Sequence, residues 1–158
     1  MPKQVIPYTM SELGFGLSNG PVNFAWRSTL GVILTVGDRR VECYGIVDSG
    51  ADFTSFPLLL ADTLGLTLSG KATTSTGTGA ETATWFHPIT IELPDILGAS
   101  PFSVNVGFVE GLNKWFSNGV GVGLLGQNGF FDKFRACFDF GKKSFEIEPL
   151  EPAWADQK

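Results

Sequence analysis

Few side chains in this sequence are placed to do chemistry, and the one that stands out is Asp48. It follows the apolar run Gly45-Ile46-Val47 and opens the stretch Asp48-Ser49-Gly50-Ala51-Asp52. A carboxylate held at the end of a strand can serve general acid–base chemistry. Asp, Ser and Gly also suit an ordinary tight turn, so the triplet gains meaning only from what accompanies it. The other reactive residue types offer less. Cys43 and Cys137 are too few and too far apart for a zinc site, and both read as small apolar residues packed within strands. His87, just before Pro88 where a strand should begin, is the only histidine; with no second imidazole to join it as a ligand, a structural role is expected. No metal and no cofactor is expected.

A second stretch, Gly121-Val122-Gly123-Leu124-Leu125-Gly126, has the glycine spacing of a dinucleotide-binding fingerprint, with Glu146 in the place of its acidic residue. That motif works only where a strand ends and a long helix begins, because the helix N-terminus aims backbone N–H groups at the pyrophosphate. Here Asn128-Gly129 interrupts any helix at once, no βαβ unit surrounds the glycines and no Lys follows them. Nucleotide binding is set aside.

The elements that must position Asp48 are strands. Twenty Gly and nine Pro accompany many Val, Ile, Thr and Phe, and 43% hydrophobic with 17% charged residues is the composition of a folded, mainly β protein. Residues 28–36 and 41–47 are apolar, β-branched runs flanking Gly37-Asp38-Arg39-Arg40, a hairpin that delivers the chain into Asp48. Pro57 can start a short helix carrying Leu58, Leu59 and Ala61 and ending near Gly65. A second hairpin follows, with its tip at Thr76 to Gly79, where two glycines permit close backbone approach. Phe102 to Glu110 reads as a strand, residues 128–134 as a short helix, and the chain closes with a hairpin turning at Gly141. At this length one domain is expected: a lead-in over residues 1–23 that partly wraps the core, a domain over 24–150 and a tail over 151–158.

The order of Val47-Asp48-Ser49-Gly50-Ala51-Asp52, a Gly-rich hairpin tip some thirty residues on, and Leu124-Leu125-Gly126-Gln127-Asn128 resembles the retroviral-type aspartic proteases, the retropepsin family. The resemblance spans Leu30 to about Pro149. It implies a mainly β, retropepsin-like closed barrel or sandwich with a flap hairpin and one or two short helices, dimeric, and an aspartic endopeptidase acting on a peptide or protein. It makes Asp48 the catalytic residue within an active-site loop of Ser49, Gly50 and Ala51, with Ser49 bracing the loop across a two-fold axis. Gly50 and Asp52 become substrate contacts, Gly77, Thr78 and Gly79 the substrate-covering flap tip, and Leu125 and Gly126 the loop's support. In the family's retroviral members an Arg follows the supporting Gly and pairs with the acidic residue matched here by Asp52; this chain has Gln127, which can hydrogen-bond but cannot neutralise a carboxylate.

Such chemistry needs two carboxylates a few Å apart, one protonated and one ionised, to activate water and protonate the substrate carbonyl. Like charges that close cannot both ionise, and aspartic proteases are the standard illustration. Only one Asp-Ser-Gly triplet is present, and Asp139, in Phe138-Asp139-Phe140-Gly141, lacks the Ser/Thr-Gly that would position it. The second carboxylate is therefore expected from another copy, in a homodimer. Trp115 and Phe116, in the extra length before the supporting segment, are candidates for a subsite, the dimer interface or core filling. The alternative is a binding or dimerisation module that kept the fold without turnover. A formal net charge of -5 and scattered basic residues argue against nucleic acid. No stretch has the apolar length of a membrane span or a signal peptide, so the chain reads as cytoplasmic.

Overall fold

The structure is a computed structural model and describes residues 3–12, 24–77 and 80–150. The chain forms β1 (Gln4–Pro7), β2 (Thr9–Glu12), β3 (Phe24–Arg27), β4 (Thr29–Val36), β5 (Arg39–Val47), β6 (Ser55–Pro57) and α1 (Leu59–Thr63). Then come β7 (Thr73–Gly77), β8 (Ala80–Glu92), β9 (Phe102–Val109), a 3₁₀ helix (Glu110–Trp115), β10 (Phe116–Ser117), β11 (Val120–Leu125), β12 (Phe134–Asp139) and β13 (Ser144–Pro149). The protein is mainly β, and among the described residues no helix is long and apolar enough to cross a membrane.

The strands follow from side-chain alternation. Along β5, Val41 and Cys43 are buried while Glu42 and Tyr44 face out, and along β9 Phe102, Val104, Val106 and Phe108 are buried while Ser103 and Asn105 are exposed. A period of two puts one set of side chains on one face of a sheet, and each fully buried Val, Leu, Ile or Phe contributes about 1.5–3 kcal/mol. Leu30, Leu34, Phe56, Leu60, Ile91, Phe108 and Phe130 meet in the same core.

The largest sheet runs β10-β11-β5-β4-β8-β9-β6, and β11 also pairs with β6, so the sheet turns back on its own edge. Most neighbours are antiparallel, among them hairpins such as β4–β5, which turns at Gly37 (φ +58°) and Asp38. Two pairings are parallel and join distant segments: β11 beside β5, with Leu125 opposite Val47, and β6 beside β9. The long β8 pairs with β7 at its start, along β9 through its middle and with β4 at its end.

Three expectations need correction. Residues 128–134 form successive turns rather than a helix: Phe130 and Phe131 N–H both donate to the Gly126 carbonyl, and Gly129 at φ +101° breaks the right-handed path a helix requires. Cys137 is exposed on β12, while Cys43 is buried, and burial pushes the Cys43 thiol up to about 12. The lead-in contributes β1, which pairs with β13 in a β1-β13-β12 sheet and sends Ile6 into the core. Finally, His87 lies inside β8 rather than at a strand entry, its Nδ1 2.8 Å from the Pro88 carbonyl oxygen.

Candidate active site

The end of β5 is held from two sides before the chain reaches Asp48. Val47 N–H donates to the Ser28 carbonyl at 2.8 Å, and the Ser28 hydroxyl donates back to the Val47 carbonyl at 3.0 Å. Asp48 N–H then donates to the Leu125 carbonyl at 3.0 Å, which carries the β5–β11 pairing one residue into the loop. There the chain turns. Ala51 N–H donates to the Asp48 carbonyl at 3.2 Å and Gly50 N–H to Asp48 Oδ1 at 2.9 Å, so the carboxylate is oriented by its own loop with Oδ2 left out of that contact.

The segment after β11 holds the loop from beneath. Gln127 N–H donates to the Ala51 carbonyl at 2.8 Å, Asn128 N–H to the Asp52 carbonyl at 3.0 Å, and the Gln127 side-chain amide to the Ser49 carbonyl at 3.0 Å. This approach is possible because Gly126 has no side chain: a Cβ there would lie 2.5 Å from the Phe53 carbonyl oxygen and 2.7 Å from that of Ala51. Gly123 has the same constraint, with a Cβ only 2.3 Å from the Ser55 carbonyl oxygen. The glycine spacing that mimics a dinucleotide fingerprint thus lets a strand thread between β5 and β6.

Thr54 is a positioning residue that sequence reasoning missed. It is fully buried, accepts the Gly126 N–H at 3.2 Å and donates to the Asn128 carbonyl at 2.9 Å, riveting the loop to its support. The available signal was a short polar residue between Phe53 and the buried Ser55-Phe56-Pro57 run, where only a fully hydrogen-bonded hydroxyl is tolerated.

Above the loop lies a cavity of about 560 Å³. Asp48, Gly50, Ala51 and Asp52 line one side. Ser75, Glu81, Thr82 and Ala83 from the β7–β8 hairpin line another, and the 3₁₀ helix adds Leu112, Lys114 and the buried Trp115. The hairpin is tied down by the Ser75–Thr84 hydroxyl contact of 2.6 Å and by Gly111 N–H donating to the Thr82 hydroxyl at 2.7 Å. A volume in the range of ligand sites, partly apolar walls and a few convergent polar groups are what a binding cleft requires.

Of the residues singled out from the sequence, Asp48, Gly50, Ala51 and Asp52 share this cavity. Ser49 is exposed on the turn and engages Gln127 through its carbonyl. Leu125 and Gly126 are buried under the loop, and Gly77 ends β7 opposite Ala80; Thr78 and Gly79 lie outside the described residues. Phe116 is half-buried against the core, and Asp139 is not on the cavity wall. Among the described residues no group of three or more His, Cys, Asp and Glu is placed to hold a metal ion. Comparisons with family models, curated proteins and solved structures return no match.

Proposed function

We propose that the chain is an aspartic endopeptidase that works as a homodimer, with water activated between the Asp48 carboxylates of two copies. The observation that carries this reading is the placement of Asp48: a carboxylate on the wall of a peptide-sized cavity, oriented by Gly50 N–H and set on a loop that β11 and Gln127 hold from beneath. The return of the sheet through the β11–β6 pairing supports a closed-barrel form, and the β7–β8 hairpin over the cavity supports a flap.

Each chain supplies one such carboxylate, and the partner subunit's Asp48 supplies the other across a two-fold axis. With one proton shared, the ionised carboxylate takes a proton from water as its oxygen attacks the scissile carbonyl carbon. The protonated one gives its proton to the carbonyl oxygen. The resulting diol collapses as the C–N bond breaks, the electron pair staying on nitrogen and a carboxyl proton passing to it. Gly50 leaves room for substrate backbone beside Asp48, and Asp52 stands next along the same wall.

The test is direct: wild-type and Asp48→Asn chains are incubated with a peptide library, and products are read by mass spectrometry. Cleavage by the wild type alone, with a dimer by sedimentation, supports the reading. A folded wild-type dimer that binds peptides without cutting them would instead make this a binding module.

A further inference from the structure

The walls of the cavity carry more negative charge than catalysis by Asp48 requires. Asp52 comes from the loop, Glu81 from β8 and Glu110 from the first position of the 3₁₀ helix, while Lys114 is the one cationic residue on the wall among the described residues. The arrangement of Glu81 and Glu110 is built in. Gly111 N–H donates to the Thr82 hydroxyl at 2.7 Å, and each glutamate immediately precedes one member of that hydrogen-bonded pair. Both glutamates are thereby brought to the lining of one cavity, where a bound cation meets negative charge. No hydrogen bond or ion pair among the described residues engages the carboxylates of Asp52, Glu81 or Glu110. Gln127, beside Asp52 in the loop's support, is neutral and directs its amide to Ser49. Val109, Leu112 and Trp115 add apolar lining to the same cavity.

We infer that the cavity selects peptides in which an apolar residue is flanked by Lys or Arg, with Asp52, Glu81 and Glu110 as its specificity-determining residues. The inference rests on the endopeptidase reading of the same cavity. In a dimer with a shared cleft the acidic excess doubles, while a glutamate-flanked peptide meets like charge on both sides.

Two labelled decapeptides with the same apolar centre, one flanked by lysines and one by glutamates, provide the test. Binding is measured by fluorescence anisotropy on full-length Asp48→Asn protein, and cleavage on the wild type. Several partly exposed charge pairs give a preference for the lysine peptide on the order of tenfold at low ionic strength, shrinking as salt is added. Glu81→Gln with Glu110→Gln, near-isosteric changes at exposed positions, should reduce the preference to below about threefold, and Asp52→Asn should reduce it independently. Equal binding of the two peptides, binding of neither, or a preference that survives all three substitutions overturns the inference. A lysine preference in binding without cleavage of either peptide supports the charge selection and sinks the endopeptidase reading. Cleavage of both at equal rates does the reverse.

Discussion

Asp48 and Asp139 stand in turns that look alike at short range. Each ends a strand, each has a Gly two residues on, and each offers Oδ1 to a nearby backbone N–H: Gly50 at 2.9 Å for Asp48, Lys142 at 3.1 Å for Asp139. Beyond the turn they part. Asp139 sits exposed between β12 and β13, 3.7 Å from the Lys142 ammonium, with solvent on the other side. Asp48 lies on a cavity wall, its N–H engaged by Leu125 and its loop gripped by Gln127 and Asn128 from a distant part of the chain. Local turn chemistry orients a carboxylate; only long-range packing puts it where a ligand can meet it.

The largest expected effect separates the two acids by activity. Asp48→Asn should lower peptide cleavage by about a thousandfold or more, since a carboxamide cannot take the proton from water, whereas Asp139→Asn should stay within about twofold. Wild-type activity should follow a bell-shaped pH profile centred below neutral, because one member of the dyad must be ionised and the other protonated. Activity that keeps rising through about pH 9 would contradict that pairing.

The glycines extend the contrast. Gly126→Ala forces a methyl group against two carbonyl oxygens and should cost about 2–4 kcal/mol in denaturant unfolding. Gly141→Ala, beside Asp139, meets only the end of a side chain at 3.3 Å and should change stability by no more than about 0.5 kcal/mol. Equal losses would mean that the close packing beneath the Asp48 loop has no energetic weight.

The cysteines on the two approaching strands give a smaller, pH-dependent difference. Cys43, on β5, keeps its proton up to about 12, while the unfolded chain releases it near the ordinary thiol value of 9.0. Between those values the unfolded state holds fewer protons, so stability falls as pH rises, by at most about 1.4 kcal/mol per unit, and below them the thiol has no effect. Cys43→Ala should remove that slope, whereas Cys137→Ala, on exposed β12, should leave it. A thiol reagent should label Cys137 in the native protein and reach Cys43 only on unfolding.

The smallest effect tests the shared site. With wild-type and Asp48→Asn chains mixed equally and exchanging at random, roughly a quarter of dimers hold both carboxylates, and the wild-type activity should fall by about half. Activity proportional to the wild-type chains added, with exchange verified by mass, would place the second acid within the chain.

The local parts of this design were legible in the sequence. Gly37 to Arg40 between apolar runs marks the β4–β5 hairpin, Pro57 and Gly65 bracket α1, and Asp48 is conspicuous at the end of an apolar strand. What escaped depends on contacts between segments far apart in the chain. The glycine-rich stretch 121–126 does not read as a strand, and its place between β5 and β6 is set by the missing side chains of Gly123 and Gly126 against distant carbonyls. Thr54 carries no periodic signal. Trp115 reads first as core filling, with a subsite or the interface as alternatives, and the 3₁₀ helix places it buried yet on the cavity wall. Residues 128–134 are long enough for one helical turn, yet Gly129 and the doubled acceptor role of the Gly126 carbonyl make them a knot of turns.

The insertion of β11 between β5 and β6 also dictates when the Asp48 loop can exist. Parallel pairing of segments so distant must close a long stretch of chain before any contact rewards it, which makes it a slow, late step of folding. A nascent chain that has emerged only through β9 carries Asp48 with nothing beneath its loop. Its acid is already present while its scaffold is still being made. The order of synthesis therefore leaves the Asp48 loop without its support until the last third of the chain has been threaded into place, a delay written into the topology itself.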